Sequence, residues 1–244
     1  MQKVKTLVSV VIPTINEEKY LPFCLDSFKK QTFRDFEVII SDGGSRDRTI
    51  EIARKFGIKA IITPRSTVTI ARQRGVDASY GEIIVGADAD TVYPPTHLAT
   101  IVSDFKNHPE TVAVGGGGVF EKTPYWNYVF WRFTYLVLGK FYQLFRTVIY
   151  IPGFNLSFKK EVFKKIGGYY TYLDFGGDEL DILSRLKKAG KVIFDRTLRP
   201  HPSSRRAKTG FWRLLIKHTF ICYFLNYFLA HLFKRPIIKG QPVR

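Results

Sequence analysis

From residue 7 onward, short runs of β-branched and aliphatic residues alternate with longer stretches whose apolar residues fall three or four apart. LVSVVIP (7–13), FEVIISD (36–42), IKAIITP (58–64) and EIIVGAD (82–88) read as buried strands. Between them, NEEKYLPFCLDSFKKQ (16–31) spaces Leu21, Leu25 and Phe28 as a helix does, with Asn16 as its N-cap. RDRTIEIARKFG (46–57) reads as a helix closed by Gly57, and TIARQRGVDASYG (69–81) as a third helix. This alternation predicts an α/β fold, a mostly parallel sheet with helices on both faces. Ligands of such sheets bind beyond the carboxyl ends of the strands. Thr14, Asp42 and the pair Asp88/Asp90 each follow a predicted strand, so separate strand ends bring polar groups to one edge.

The second half continues with a helix at HLATIVSDFKNHP (97–109) and a strand at TVAVGGGGVF (111–120). The glycine run lacks the Gly-Lys-Ser/Thr of a phosphate loop and reads as a close backbone approach. Residues 125–151 hold eleven aromatics and no acid, with Arg132, Lys140, Gln143, Arg146 and Thr147 on one side of a helical wheel. Two readings fit, an in-plane interfacial helix or a core helix, and the positive charges argue against full burial. KKEVFKKIGGYY (159–170) and DELDILSRLKKAG (178–190) read as helices, and KVIFD (191–195) as a last short strand.

Composition extends this picture at the C-terminus. The chain of 244 residues carries a net charge of +17, and its span from Arg196 to Arg244 holds eleven Lys/Arg and no acid. That basic stretch is interleaved with FICYFLNYFLAHLF (220–233), a pairing that favours an anionic membrane surface over nucleic acid, for which no module is present. The longest uncharged run, 218–233, has 16 residues, short of the roughly 20 a spanning helix needs. The expected division is a catalytic domain over 1–208 and a basic, apolar, helical tail over 209–244 that lies on the membrane. MQKVKTLVSVVIP reads as a strand rather than a signal peptide, and Cys24 and Cys222 form neither a metal spacing nor a disulfide framework. These features predict a cytoplasmic protein, peripheral to the inner face of the membrane.

The chemistry centres on Asp88-Ala-Asp90. In an extended segment these side chains face the same way, and two adjacent carboxylates are costly unless a cation lies between them. Hard oxygen ligands suit Mg²⁺ or Mn²⁺, which would in turn hold a diphosphate. A lone Asp-x-Asp is more often a pair of solvated loop acids, and its company decides the matter.

SVVIPTINEE, ISDGGSRDRT, IARQRGVDASYGEIIVGADADT, GFNLSFKKEVFKKIGGY and GGDELDILSRL, in this order over residues 7–202, resemble the family 2 glycosyltransferases of GT-A fold. The resemblance implies an inverting, metal-dependent transfer of a sugar from a nucleotide-diphosphate donor to a lipid-linked or glycan acceptor. It assigns Pro13, Thr14, Glu17 and Asp42 to the nucleotide, although Gly43 stands where many members have a second acid. Arg72 would position the nucleotide or the sugar. Asp88 would meet the ribose and the metal, Asp90 would ligate the metal, and His201 falls where some members supply a further ligand. Arg205 and Arg206 would stabilise the leaving diphosphate. Counting back from Arg185-Leu186 puts Glu179 at the position of the general base. Its order with Asp178 is reversed from the commoner form, which keeps Asp178 as the alternative. A polyprenyl phosphate acceptor, already anionic, would need a base less. The rival readings are a nucleotidyltransferase, disfavoured by the acidic sequence after the first strand, and a catalytically silent membrane-binding module.

Overall fold

A computed structural model describes residues 7–64, 66–121, 123–173, 177–205 and 226–234. Its centre is a seven-stranded sheet in the order β3-β2-β1-β4-β7-β6-β8. The strands are β1 (Val8–Thr14), β2 (Phe36–Asp42), β3 (Ala60–Ile62), β4 (Ile83–Gly86), β6 (Thr111–Gly115), β7 (Leu156–Lys159) and β8 (Lys191–Phe194). A two-stranded ribbon pairs β5 (Thr91–Val92) with β9 (His201–Pro202). Within the seven-stranded sheet of the described residues only β7 runs against its neighbours, pairing antiparallel with both β4 and β6. The chain builds β1, β2 and β3 outward in one direction and then places β4 on the other side of β1. The strand order therefore reverses between β1 and β4, the place where open α/β sheets hold ligands.

Alternation along the strands supplies two cores, one per face. Val8, Val10, Ile12, Ile83 and Val85 join Leu21, Leu25 and Phe28 of α1 (Leu21–Lys29) and Leu98, Ile101 and Phe105 of α4 (His97–Asn107). Ala53 of α2 (Thr49–Lys55) lies on this same face. Val11, Ile84 and Phe158 face the other way, onto Val76 of α3 (Val68–Ala78), Phe163 of α6 (Lys160–Lys165) and Ile182, Leu183 and Leu186 of α7 (Asp178–Ala189). Gly75 lets α3 lie directly on β1, since a Cβ there would sit 2.3 Å from Val11 Cγ1. The predicted parallel sheet with helices on both faces is thus present.

Several local expectations shift. Asn16 is not the cap of α1: its backbone is left-handed (φ 54°), its side-chain oxygen accepts from Arg46 N at 2.8 Å, and the helix starts at Leu21 with a proline in its first turn. A proline fits there because its missing N–H would be unpaired anyway. The strand expected over 111–120 stops at Gly115. The glycines that follow are close approaches, as read from the sequence: a Cβ on Gly116 would lie 2.4 Å from Asp195 O and one on Gly117 2.5 Å from the Tyr135 ring. The segment 159–170, read as a helix, contains the short helix α6, and β7 immediately before it was not foreseen.

The aromatic segment forms α5 (Tyr125–Phe145), which ends where Arg146 adopts the left-handed conformation. One side packs Tyr135, Leu138 and Tyr142 against the second core. The other side stays exposed, so neither a fully buried core helix nor a fully solvated one describes it. No helix among the described residues is long and apolar enough to cross a membrane. Of the predicted tail, α8 (Asn226–Phe233) is described, whereas Arg206 and most of 209–244 lie outside the described residues.

Candidate active site

Thr14 and Asp42 end the adjacent strands β1 and β2 in register. Asp42 is fully buried. Its Oδ1 accepts from Gly44 N (2.8 Å) and Ser45 N (2.7 Å), and its Oδ2 from Thr14 Oγ1 (2.8 Å) and Ser45 Oγ (2.6 Å). The carboxylate therefore shapes the loop after β2, and Pro13 lies half-buried beside it at the same sheet edge. A second acid at Gly43 would be tightly placed, since a Cβ there would come within 3.3 Å of Ser66 O.

Beyond β4 the chain does not continue extended. It leaves the sheet at Gly86 and turns, with Thr91 N donating to Asp88 O at 3.1 Å before β5 begins. Asp88 and Asp90 therefore lie in a turn and not on an extended strand. Each meets its own arginine. Arg72 Nη2 lies 3.2 Å from Asp88 Oδ1. Arg205 Nε lies 3.0 Å from Asp90 Oδ2, and its two terminal nitrogens grip both oxygens of Glu17 at 3.0 and 2.7 Å. Ser203 Oγ adds a 2.7 Å hydrogen bond to Asp90. Burial pushes the Glu17 carboxyl above its usual range, with Arg205 working against that rise. The turn is anchored from below by Tyr93, whose hydroxyl accepts from Asp88 N (3.0 Å) and donates to Phe154 O (2.9 Å).

Arg72 joins this acid to a second pair. Its Nη1 lies 2.5 Å from Asp178 Oδ2, and its Nη2 lies 3.8 Å from Glu179 Oε1. Asp178 and Glu179 open α7, where carboxylates are favoured by the helix dipole. Both are buried. Glu179 Oε1 accepts from Gly153 N and Oε2 from the Tyr150 hydroxyl, each at 2.9 Å. Burial, with the Asp178 charge beside it, raises the Glu179 carboxyl above the ordinary glutamate range, and Arg72 opposes this. A side chain at Gly153 would displace the site, because a Cβ would lie 2.6 Å from both Arg72 Nη2 and Glu179 Oε1. Tyr93, Tyr150 and Gly153 were not singled out as site residues. Gly153 stands in the quoted GFNLSFKKEVFKKIGGY stretch, and that was the available signal.

The metal expectation has partial geometric support. Asp88 and Asp90 supply the hard oxygens a divalent cation takes, and their side chains keep 30% and 15% exposure toward the site. His201 does not join them as a third ligand: its Nδ1 lies 3.3 Å from Glu121 Oε1. Among the described residues no group of three His, Cys, Asp or Glu converges on one point. Two carboxylates with an open remainder suit an ion that keeps its other positions for substrate phosphates and water, as Mg²⁺ commonly does. The donor set fits such an ion, with Asp88 and Asp90 as the residues that would hold it.

Comparison with known proteins places the site in a known setting. The model of the family described as "Glycosyl transferase family 2" matches residues 9–167. A PGL/p-HBAD biosynthesis glycosyltransferase of Mycobacterium bovis is 37% identical over 125 residues, covering 48% of this chain and 48% of that protein. A glucosyl-dolichyl phosphate glucuronosyltransferase of Haloferax volcanii is 28% identical over 183 residues, covering 70% of this chain and 58% of the relative. The chain thus spans about half the length of the curated relatives it matches. Among solved structures, the mannosyltransferase PcManGT from Pyrobaculum calidifontis, in complex with GDP-Man and Mn²⁺, superposes with a TM-score of 0.70 at 22% identity. That match covers 98% of this chain and 66% of PcManGT, and it shows a shared fold.

Proposed function

Because the chain belongs to glycosyl transferase family 2, we propose that it transfers a sugar, with inversion, from a nucleotide-diphosphate donor to a lipid-linked acceptor at the cytoplasmic face of a membrane. The observation that carries the reading is Arg72, which ties Asp88, on the donor side at the end of β4, to the Asp178/Glu179 pair at the start of α7. Donor and acceptor chemistry therefore meet across one guanidinium, at the strand-order reversal where such sheets bind ligands.

In this reading the edge formed by Pro13, Thr14, Glu17 and Asp42 receives the nucleotide. A divalent ion held by Asp88 and Asp90 supplies charge neutralisation for the diphosphate. Arg205, and Arg206 next to it in sequence, offer guanidinium groups to the departing phosphates. Glu179 is the base. Its oxygen takes the proton of the acceptor hydroxyl while that hydroxyl's oxygen attacks the anomeric carbon. The bond from that carbon to the diphosphate oxygen breaks, and the nucleoside diphosphate leaves with the electron pair. Asp178, already paired with Arg72 at 2.5 Å, is committed to an ion pair, whereas the raised affinity of Glu179 for a proton suits a base.

A second reading, transfer to a polyprenyl phosphate, is favoured by the relative named dolichyl-phosphate beta-glucosyltransferase, of Mus musculus, 36% identical over 129 residues. Such an acceptor is anionic from the start and does not call on Glu179 for deprotonation. One variant distinguishes the two. Glu179→Gln should keep donor binding, measured by thermal shift with Mn²⁺, and lower kcat on a hydroxyl acceptor by about 10²–10⁴-fold. A loss of less than tenfold on a polyprenyl phosphate, measured in parallel, supports the phosphate acceptor. Loss in Asp178→Asn but not in Glu179→Gln moves the base by one residue. Failure of the unaltered chain to bind any nucleotide sugar removes the proposal altogether.

A further inference from the structure

α5 buries one side and leaves the other uncovered. Val129, Phe133, Leu136, Val137 and Leu144 recur at helical spacing on the exposed side, with Phe133 at 66% and Leu144 at 76% exposure. Arg132 and Lys140 are exposed on the same helix, and Arg146 at its end. Between Glu121 and Glu161 the sequence contains no acid. α8 repeats the pattern: Ala230 is fully buried, while Phe228 (65%), Leu232 (63%) and Phe233 (53%) face outward and Lys234 follows. Both helices lead to the same carboxylates. Five residues beyond α5, the Tyr150 hydroxyl donates to Glu179. On the α8 side, Tyr227 packs on Gly177, where a Cβ would lie 3.2 Å from the tyrosine side chain, and Gly177 caps α7 just before Asp178 and Glu179.

We propose that the exposed faces of α5 and α8 are the surface by which this protein rests on an anionic lipid bilayer, so that the elements leading to Asp178 and Glu179 lie against the membrane that supplies a lipid-linked acceptor. The proposal rests on the glycosyltransferase reading and names the partner of that same site. Charge complementarity selects the occupant: the apolar side chains enter the interface while Arg132, Lys140, Arg146 and Lys234 meet anionic headgroups. A second copy of a chain with a net charge of +17 would bring like charges together across these basic faces. The proposed mode is in-plane, with the apolar side chains in the interface and the basic ones at the headgroups.

The test uses the full chain and two double variants, Phe133→Glu/Val137→Glu on α5 and Phe228→Glu/Leu232→Glu on α8. All four side chains are exposed, so the fold should survive, and an unchanged thermal shift with nucleotide sugar confirms that the donor site does. Vesicles of phosphatidylcholine, with and without phosphatidylglycerol, are the probe. The unaltered chain should sediment with the anionic vesicles only, less so at high salt, and each double variant should lose about tenfold or more of that partition. Transfer to a long-chain lipid acceptor in vesicles should fall in parallel, while transfer to a short-chain, water-soluble analogue holds. Sedimentation of both variants equal to that of the unaltered chain overturns the inference and leaves the transferase reading intact. A dimer broken by the same substitutions, without vesicle binding, overturns it in favour of self-association. Vesicle binding through these faces by a protein that transfers no sugar sinks the transferase reading and keeps the docking surface.

Discussion

Replacing Arg72 by methionine isolates the electrostatic role of this residue, because the unbranched apolar stem remains and the charge goes. Arg72 and Asp178 keep only 9% and 3% side-chain exposure, so water cannot stand in for the lost partner. Asp88 and Glu179 lose their share of the same cation. Removing one member of a buried ion pair costs about 3–5 kcal/mol, since the remaining charge stays desolvated and unpaired. For a chain of this size each 1 kcal/mol corresponds to about 2–4 °C, so the melting temperature should fall by roughly 6–20 °C. The pH dependence has a definite sign. Without Arg72 the folded-state carboxyl of Glu179, already raised by burial, rises further above its unfolded value, so the folded variant binds more protons than its unfolded chain. The destabilisation is complete near neutral pH and shrinks as the pH falls into the range of the raised Glu179 carboxyl. Urea unfolding of both proteins at about pH 7 and about pH 5 measures it, and Arg72→Met/Asp178→Asn should recover part of the loss. A loss near pH 7 below about 1 kcal/mol, the size of an exposed pair, would refute the reasoning. So would a loss that grows on acidification.

Three further outcomes are expected. Asp90→Asn should abolish transfer with little change in melting temperature, and EDTA should silence the unaltered protein until Mn²⁺ or Mg²⁺ is restored; activity persisting in EDTA removes the ion from the reaction. Tyr150→Phe deletes a donor to the Glu179 carboxylate and so favours its protonated form, and the acid limb of the kcat/KM profile on a hydroxyl acceptor should move to higher pH, while an unmoved limb means Glu179 is not the titrating base. Burial pushes the His97 imidazole down from 6.5 to about 3. Its contribution is therefore intact above 6.5 and is lost as the pH falls toward 3, and His97→Phe should flatten the stability–pH curve within that window, as urea midpoints would show.

Much of the architecture was legible because it is written in local periodicity. The runs around β1, β2 and β4 carry the alternation of buried strands, and Leu21, Leu25 and Phe28 carry the spacing of a core-facing helix. β7 was not legible: LSFK is four residues long, and its antiparallel place between β4 and β6 is fixed by partners far along the chain. Asn16 misled for a similar reason, since its side chain serves Arg46 in the loop after β2 rather than the helix it precedes. Asp42, Asp88 and Asp90 could be named from their positions after strands, and Glu17, Asp178 and Glu179 from the family resemblance. Their pairing could not, because the arginines that hold Asp88 and Asp90 come from α3 and from the segment after β9. Tyr150 and Gly153 escaped notice because their importance lies in what they touch, and nothing in their immediate sequence points to Glu179.

Arg205 holds Glu17 and Asp90 at once. If Arg205 serves the diphosphate as proposed, donor binding would be an exchange of partners and not the filling of a bare cationic pocket. The guanidinium would first have to release two carboxylates, and an ion brought with the donor would take up the charge that is freed. The net charge of the site changes little across the event, so donor affinity should depend only weakly on ionic strength. The exchange also confers discrimination. A lone phosphate would bring no cation to take over the released carboxylates, whereas a diphosphate with its cation would offer a replacement for each contact that is given up.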